Sequence, residues 1–211
     1  MMYIENIYLC IAAPMLVLLF FIPARQRTAV VFVLLGMLAC LLSAYVSAFF
    51  ANVYQVQVVF TVVEIAPVVE EVIKFLPFVF YVLVFEPRDV DARAAVIMLA
   101  ISFATFENIC YLAENGASSF SLLVLRGFGA GAMHLACGAL VSYGMLLFQK
   151  HMHQTLLKVV AMFSVLCVAI VYHGIFNLLV TVGGVVRLVG LSIPILTCLI
   201  LFVSNSLLRE L

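Results

Sequence analysis

Long apolar segments follow one another along almost the whole chain, separated by short polar stretches. A helix that crosses a bilayer needs about 20 apolar residues, and seven segments reach that length: 6–23, 28–51, 56–85, 94–113, 121–149, 155–181 and 188–208. The chain is 67% hydrophobic and only 9% charged, whereas soluble domains are about 25% charged. The sequence therefore predicts an all-α, polytopic transmembrane helical bundle of about seven spanning helices.

The number of helices stays open between six and eight, because the breaks near 52–57 and 182–187 are only weakly polar. Glu5 rather than a basic residue precedes the first apolar segment, so we expect a spanning helix there and not a cleaved signal. No repeat or soluble domain interrupts the pattern, and residues 1–211 are expected to form a single integral membrane domain. No basic patch suggests nucleic acid as a partner.

Basic residues are distributed unevenly between the two ends of the segments. On the side of the membrane where the loops after segments two, four and six lie, the only basic residues in the sequence are Arg126 and Arg187. The opposite ends, including the C-terminus, carry seven basic residues: Arg25, Arg27, Arg88, Arg93, Lys150, Lys158 and Arg209. Because basic loops stay in the cytoplasm, this pattern predicts that the N-terminus is outside and the C-terminus is cytoplasmic.

Polar side chains deep in apolar segments are confined to helices three to six, between about residues 64 and 180. A charge at mid-membrane costs roughly 2.5–3.5 kcal/mol, so we expect these groups to share one site. At a rise of about 1.5 Å per residue, Glu107, His134 and His173 lie about 9–12 Å from the outer ends of their helices. The full set is Glu64, Glu70, Glu71, Lys74, Glu107, Asn108, His134, His173 and Asn177.

The third segment holds the densest group of charges. Glu70 and Lys74 are four residues apart, so we expect them to share a helix face and to pair. Glu71 points about 100° away from Glu70, and whichever of the two does not face the histidines is expected to brace the helix through backbone groups that Pro67 and Pro77 set free. One of the two carboxylates should therefore reach the histidines.

Carboxylate, imidazole and amide groups, without a recognisable Ser or Cys nucleophile motif, are suited to activating water. A glutamate can take a proton from water as a general base, and an amide and an imidazole can donate hydrogen bonds to an oxyanion. Alternatively, two histidines and a glutamate can hold zinc and leave an open position for water. Both versions predict hydrolysis of a carbonyl substrate, with a peptide bond as the expected one.

Four ordered motifs carry a family resemblance: EEVIK (70–74), FATFEN (103–108), HLACG (134–138) and HGIFN (173–177). Together they resemble the PrsW family of intramembrane proteases, within the wider group that contains CAAX prenyl proteases. The resemblance implies an endopeptidase in the plasma membrane of a bacterium or archaeon. Such an enzyme cuts a membrane-anchored protein, for example an anti-sigma-factor-like regulator, near the outer half of the bilayer.

The resemblance also implies roles for single residues. Glu70 would be the water-activating base, with Glu71 orienting it, and His173 and Asn177 would support the oxyanion. The prenyl-protease branch has histidine where this chain has Glu107, which favours the PrsW-like branch. The candidate ligands of a divalent metal, with zinc expected, are Glu107, His134 and His173. A metal-free glutamate mechanism, as in the prenyl-protease branch, stays open.

Three other functions remain open from the sequence. The chain could be a peptidase of the CAAX prenyl-protease type. It could be a proton or cation transporter, because intramembrane Glu and His residues also form relays; ion flux that depends on Glu107, without proteolysis, would indicate that function. A non-catalytic scaffold descended from a protease would tolerate alanine at all the site residues.

Overall fold

The computed structural model describes residues 3–116, 120–151 and 154–210, and all the regular structure in these ranges is helical. The gaps that separate the predicted segments 94–113, 121–149 and 155–181 include residues 117–119 and 152–153, which lie outside the described part. The elements are α1 (Ile4–Phe21), α2 (Ala24–Tyr54), α3 (Val58–Phe60), a π-helical turn (Thr61–Ile65), α4 (Ala66–Phe85), α5 (Asp89–Asn115), α6 (Phe120–His151), α7 (Thr155–Val182) and α8 (Gly184–Glu210).

Six of the described helices are long and apolar enough to cross a membrane, namely α1, α2, α5, α6, α7 and α8. This confirms the predicted multi-spanning all-α bundle. Helix α4 has 20 residues and is not among these six, because it carries three charged residues within one turn, Glu70, Glu71 and Lys74. The side chains of Glu71 and Lys74 are only 4% and 6% exposed, so α4 directs these charges into the protein.

The helices pack in a continuous arrangement around α4 and α5. Helix α2 contacts α4 and α5, α5 contacts α6, and α6 contacts both α7 and α8. Gly36 of α2 lies directly against α5, where a Cβ atom would overlap the Ser102 hydroxyl and the Leu99 carbonyl oxygen. The absence of a side chain at Gly36 therefore permits the close approach of these two helices.

The third predicted segment is not one proline-kinked helix. A π-helical turn precedes α4, and the N–H of Ala66 bonds to the carbonyl oxygen of Thr61. In the same register the carbonyl of Val62 would need the N–H of residue 67, but Pro67 has none. The side-chain amide of Asn177, in α7, donates to that carbonyl oxygen at 2.9 Å instead. This bond joins the start of α4 to α7.

Candidate active site

Helix α4 carries two adjacent carboxylates, those of Glu70 and Glu71, which differ in the residues that they contact. Oε1 of Glu71 accepts a hydrogen bond from Lys74 Nζ at 2.6 Å and lies 2.8 Å from Nδ1 of His173. The expectation that Lys74 pairs with Glu70 is therefore wrong, and the carboxylate in hydrogen-bond contact with a histidine is that of Glu71. Residues three and four apart on a helix are both neighbours, and here the contact with His173 favours Glu71.

The contact with Glu71 sets the proton position on His173. An ionised carboxylate can only accept hydrogen bonds, so Nδ1 of His173 is the donor. The other ring nitrogen, Nε2, is then an acceptor or a metal ligand, and it lies 3.8 Å from Oε2 of Glu70. His173 is 2% exposed, which keeps this arrangement away from bulk water.

His134 of α6 has a partner on each ring nitrogen. Nδ1 lies 2.8 Å from Nζ of Lys74, and Nε2 lies 3.0 Å from Oε2 of Glu107. Because an ammonium group only donates, Nδ1 accepts and the ring proton is on Nε2, where it donates to Glu107. The ring of Phe103 lies against both cationic and imidazole groups, 4.4 Å from Lys74 Nζ and 4.9 Å from the His134 centroid.

Arg126 of α6 belongs to the same cluster, although the sequence suggested only a role in topology. Its Nη2 donates to Oε1 of Glu107 at 3.0 Å, and its guanidinium lies 3.8 Å above the ring of Tyr111. Its Nε is buried without a hydrogen-bond partner among the described residues. The sequence gives one hint: Arg126 lies near the start of α6 and Glu107 near the end of α5, which places the two residues at a similar level without fixing the direction of the arginine side chain.

Glu70 is the carboxylate that remains available. Its Oε2 atom is buried and has no hydrogen-bond partner among the described residues. It lines a cavity of about 400 Å³ and a second cavity of about 200 Å³. Glu107, Tyr111 and Arg126 also line both cavities, so Glu70 lies where the two spaces meet.

The other predicted residues lie as follows. Asn177 lines the larger cavity, but its side-chain amide donates to Val62 as described above. Glu64, in the π-helical turn, is exposed. The structure thus brings Glu70, Glu71, Glu107, His134 and His173 together through direct contacts or shared cavities and leaves Glu64 outside.

One group of described residues has the donor atoms and the proximity for a metal ion. Single ligand atoms of Glu70, His134 and His173 all lie within 4.8 Å of one another. This set shares both histidines with the predicted one but contains Glu70 where the sequence suggested Glu107. Glu107 instead binds His134 and Arg126.

Comparison with known proteins gives one family. No curated protein and no solved structure matches the chain. A sequence model described as PrsW family intramembrane metalloprotease matches residues 24–204, which include all four motifs and every helix that contributes to the cluster. The chain therefore belongs to the PrsW family of intramembrane metalloproteases.

Proposed function

We propose that this protein hydrolyses a peptide bond of a membrane-anchored protein, with Glu70 as the general base that takes a proton from the attacking water. The observation that carries the proposal is the buried Oε2 atom of Glu70, which has no hydrogen-bond partner in the described ranges and lies at the junction of two cavities. Membership of a protease family supports hydrolysis rather than ion transport. A general base of this kind contributes about 10²–10⁴-fold to the rate.

His173 and Glu71 prepare the water. Nε2 of His173 and Oε2 of Glu70 are 3.8 Å apart, so one water molecule can contact both atoms. The carboxylate of Glu71 accepts the hydrogen bond from Nδ1–H of His173. The lone pair of Nε2, on the opposite side of the ring, is thereby left free to contact this water. Glu71 is thus a positioning residue, and His173 touches the reacting water.

Arg126 is the donor best placed to stabilise the oxyanion. Its Nε–H is buried and has no partner within the described part of the chain, and its charge is already balanced in part by Glu107. A donor that is fixed before the reaction is worth about 2.7–4 kcal/mol of transition-state stabilisation. Asn177, expected in this role, is committed to the Val62 carbonyl and serves to position the start of α4.

The donor set fits a divalent metal. Oε2 of Glu70 and Nε2 of His173 have no hydrogen-bond partner among the described residues. His134 would become a ligand by giving up one of its two bonds, to Lys74 at Nδ1 or to Glu107 at Nε2, with its ring proton on the other nitrogen. A glutamate with two histidines is typical of catalytic zinc sites, and zinc bound there would polarise the substrate carbonyl and acidify water. A carboxylate has two oxygens, so Glu70 can hold a metal with one and accept a proton with the other.

The cluster lies toward the ends of α5, α6 and α7 that the distribution of basic residues assigns to the outer side. We therefore place the cut in the outer half of the bilayer, with the N-terminus outside and the C-terminus cytoplasmic. The substrate class that fits is a membrane-anchored regulator whose cleavage site lies just inside the membrane. An anti-sigma-factor-like protein is one such regulator.

The test uses the full chain in liposomes with a membrane-anchored test substrate. Glu70→Gln keeps the size of the side chain but removes the base, and we expect cleavage to fall at least 100-fold. Glu64→Gln, an exposed position two turns earlier in the same segment, is the matched control and should cut at the normal rate. Cleavage by Glu70→Gln at the rate of the control would refute the assignment.

A further inference from the structure

Arg187 occupies a defined position at the start of α8. Gly183 and Gly184 have φ values of 84° and 57°, a backbone that glycine adopts without strain, and they turn the chain from α7 into α8. Nε of Arg187 then donates to the carbonyl oxygen of Val180 at 3.1 Å. The guanidinium is thereby fixed against the last turn of α7.

Most donors of this guanidinium have no partner in the part of the chain that the structure describes. An arginine has five N–H donors, and the bond to Val180 uses one. Among the described residues no carboxylate lies within ion-pair distance of Arg187. Arg187 is half-buried and lines the larger cavity together with Glu70.

The two arginines of this cavity therefore differ. Arg126 is paired with Glu107 and covered by Tyr111, whereas Arg187 donates to the Val180 carbonyl oxygen and has no ion-pair partner among the described residues. The smaller cavity contains no second arginine besides Arg126 among its described lining and instead has Glu114. Among the described residues, the positive charge without a counter-ion thus lies in the larger of the two cavities that Glu70 lines.

We propose that Arg187 forms a subsite for a carboxylate of the substrate. This carboxylate belongs to the part of the peptide, on one side of the scissile bond, that occupies the larger cavity. The carboxylate is the side chain of an Asp or Glu residue or the free C-terminus of the substrate. Planar guanidinium groups bind carboxylates through two parallel hydrogen bonds. This subsite rests on the proposed function, because it assigns the larger cavity to one side of a bound peptide.

The experiment measures binding first, so that it does not depend on turnover. Full-length Glu70→Gln protein in micelles is titrated with fluorescent apolar peptides of about 20 residues, each with a single Asp or a matched Asn at successive positions. We expect one position at which Asp binds on the order of tenfold more tightly than Asn, as a charge-assisted hydrogen bond predicts. A second pair, with a free or an amidated C-terminus, distinguishes the two sources of the carboxylate.

When Arg187→Gln is added to the Glu70→Gln protein, peptides with Asp and with Asn at that position should bind equally. With Arg187→Glu in its place, a peptide with Lys at the same position should bind more tightly than either. Arg25→Gln is the control, because Arg25 lines a separate cavity with Arg88 and Asp91, and it should leave the preference intact. Equal binding of Asp and Asn peptides, or a preference that survives Arg187→Gln, overturns the subsite. Absence of cleavage by the wild-type protein with an Arg187-dependent preference overturns only the proposed proteolysis.

Discussion

Lys74 Nζ lies 2.8 Å from Nδ1 of His134, a residue 60 positions later in the chain. The same ammonium group is 2.6 Å from Glu71. Lys74 therefore connects the carboxylate that orients His173 to the histidine that binds Glu107. A single buried cation holds α4 and α6 in register at the site.

Removal of this cation should destabilise the protein. Lys74→Met keeps the length of the side chain but leaves the buried Glu71 charge without its ion-pair partner. We expect the free energy of unfolding in micelles to fall by about 3–5 kcal/mol. Arg88→Gln breaks an ion pair whose side chains are 71% and 42% exposed and should cost no more than about 1 kcal/mol. Similar losses for the two variants would show that Lys74 is not structurally essential.

Glu71→Gln tests the orientation of His173. The amide keeps an acceptor oxygen but removes the negative charge, and we expect kcat to fall about 10–100-fold, as for other partners of site histidines. Glu71 is not among the described residues that line the 400 Å³ cavity, so KM should change little. A large rise in KM at unchanged kcat would mean that Glu71 binds substrate directly.

Metal removal is the third prediction. We expect one zinc per chain in the purified protein, loss of cleavage after treatment with a chelator, and recovery when zinc is added back. His173→Ala should lower the metal content, because it removes the free Nε2 atom, whereas Glu64→Gln should not. Full activity of a metal-free sample would indicate that Glu70 activates water unaided.

The hydrogen bond between Asn177 and the π-helical turn predicts that substitutions of Asn177 and Pro67 are coupled in their effects on the free energy of unfolding. Asn177→Leu leaves the Val62 carbonyl without its donor and should cost about 1–3 kcal/mol. Pro67→Ala restores an N–H at residue 67, which can donate to the same carbonyl, so the loss should be smaller in that background. A double-mutant cycle of unfolding free energies measures this coupling, and strictly additive effects would contradict the assigned hydrogen bond.

Gly36 and Gly131 make a matched pair for helix packing. Gly36→Ala places a methyl group against the backbone of α5 and should destabilise the protein by about 1–3 kcal/mol. At Gly131, in α6, a Cβ atom meets nothing within 4 Å. Gly131→Ala should therefore stabilise the helix, by up to about 1 kcal/mol. Equal effects on the melting temperature would refute the close contact between α2 and α5.

The sequence predicts the helices and the common site because both follow from the cost of polar groups in lipid. A long apolar segment has to be helical there, and a glutamate or histidine inside it needs a partner. The helices extend beyond the predicted segments, as α2 does by starting at Ala24 rather than near residue 28. Polar residues that flank an apolar segment can continue its helix into the membrane–water interface. A search for apolar residues alone does not detect this extension.

The pairing inside the site could not be predicted from spacing. Glu70 and Glu71 are both neighbours of Lys74 on the helix surface, and the choice depends on His134 and His173, which come from α6 and α7. Arg126 was missed for a related reason. Its position near a helix end says nothing about the direction of a long side chain, which here reaches Glu107.

The contacts of α4 also bear on how the protein is made. Its ion pair between Glu71 and Lys74 is local and can form within the helix, but the histidine partners lie 60 and 102 residues downstream. During synthesis α4 thus reaches the translocon before His134 and His173 have been made. These two residues are the later partners of its buried polar groups. We therefore expect stable integration of α4 to depend on α6 and α7, so that membrane insertion and assembly of the candidate site form one event.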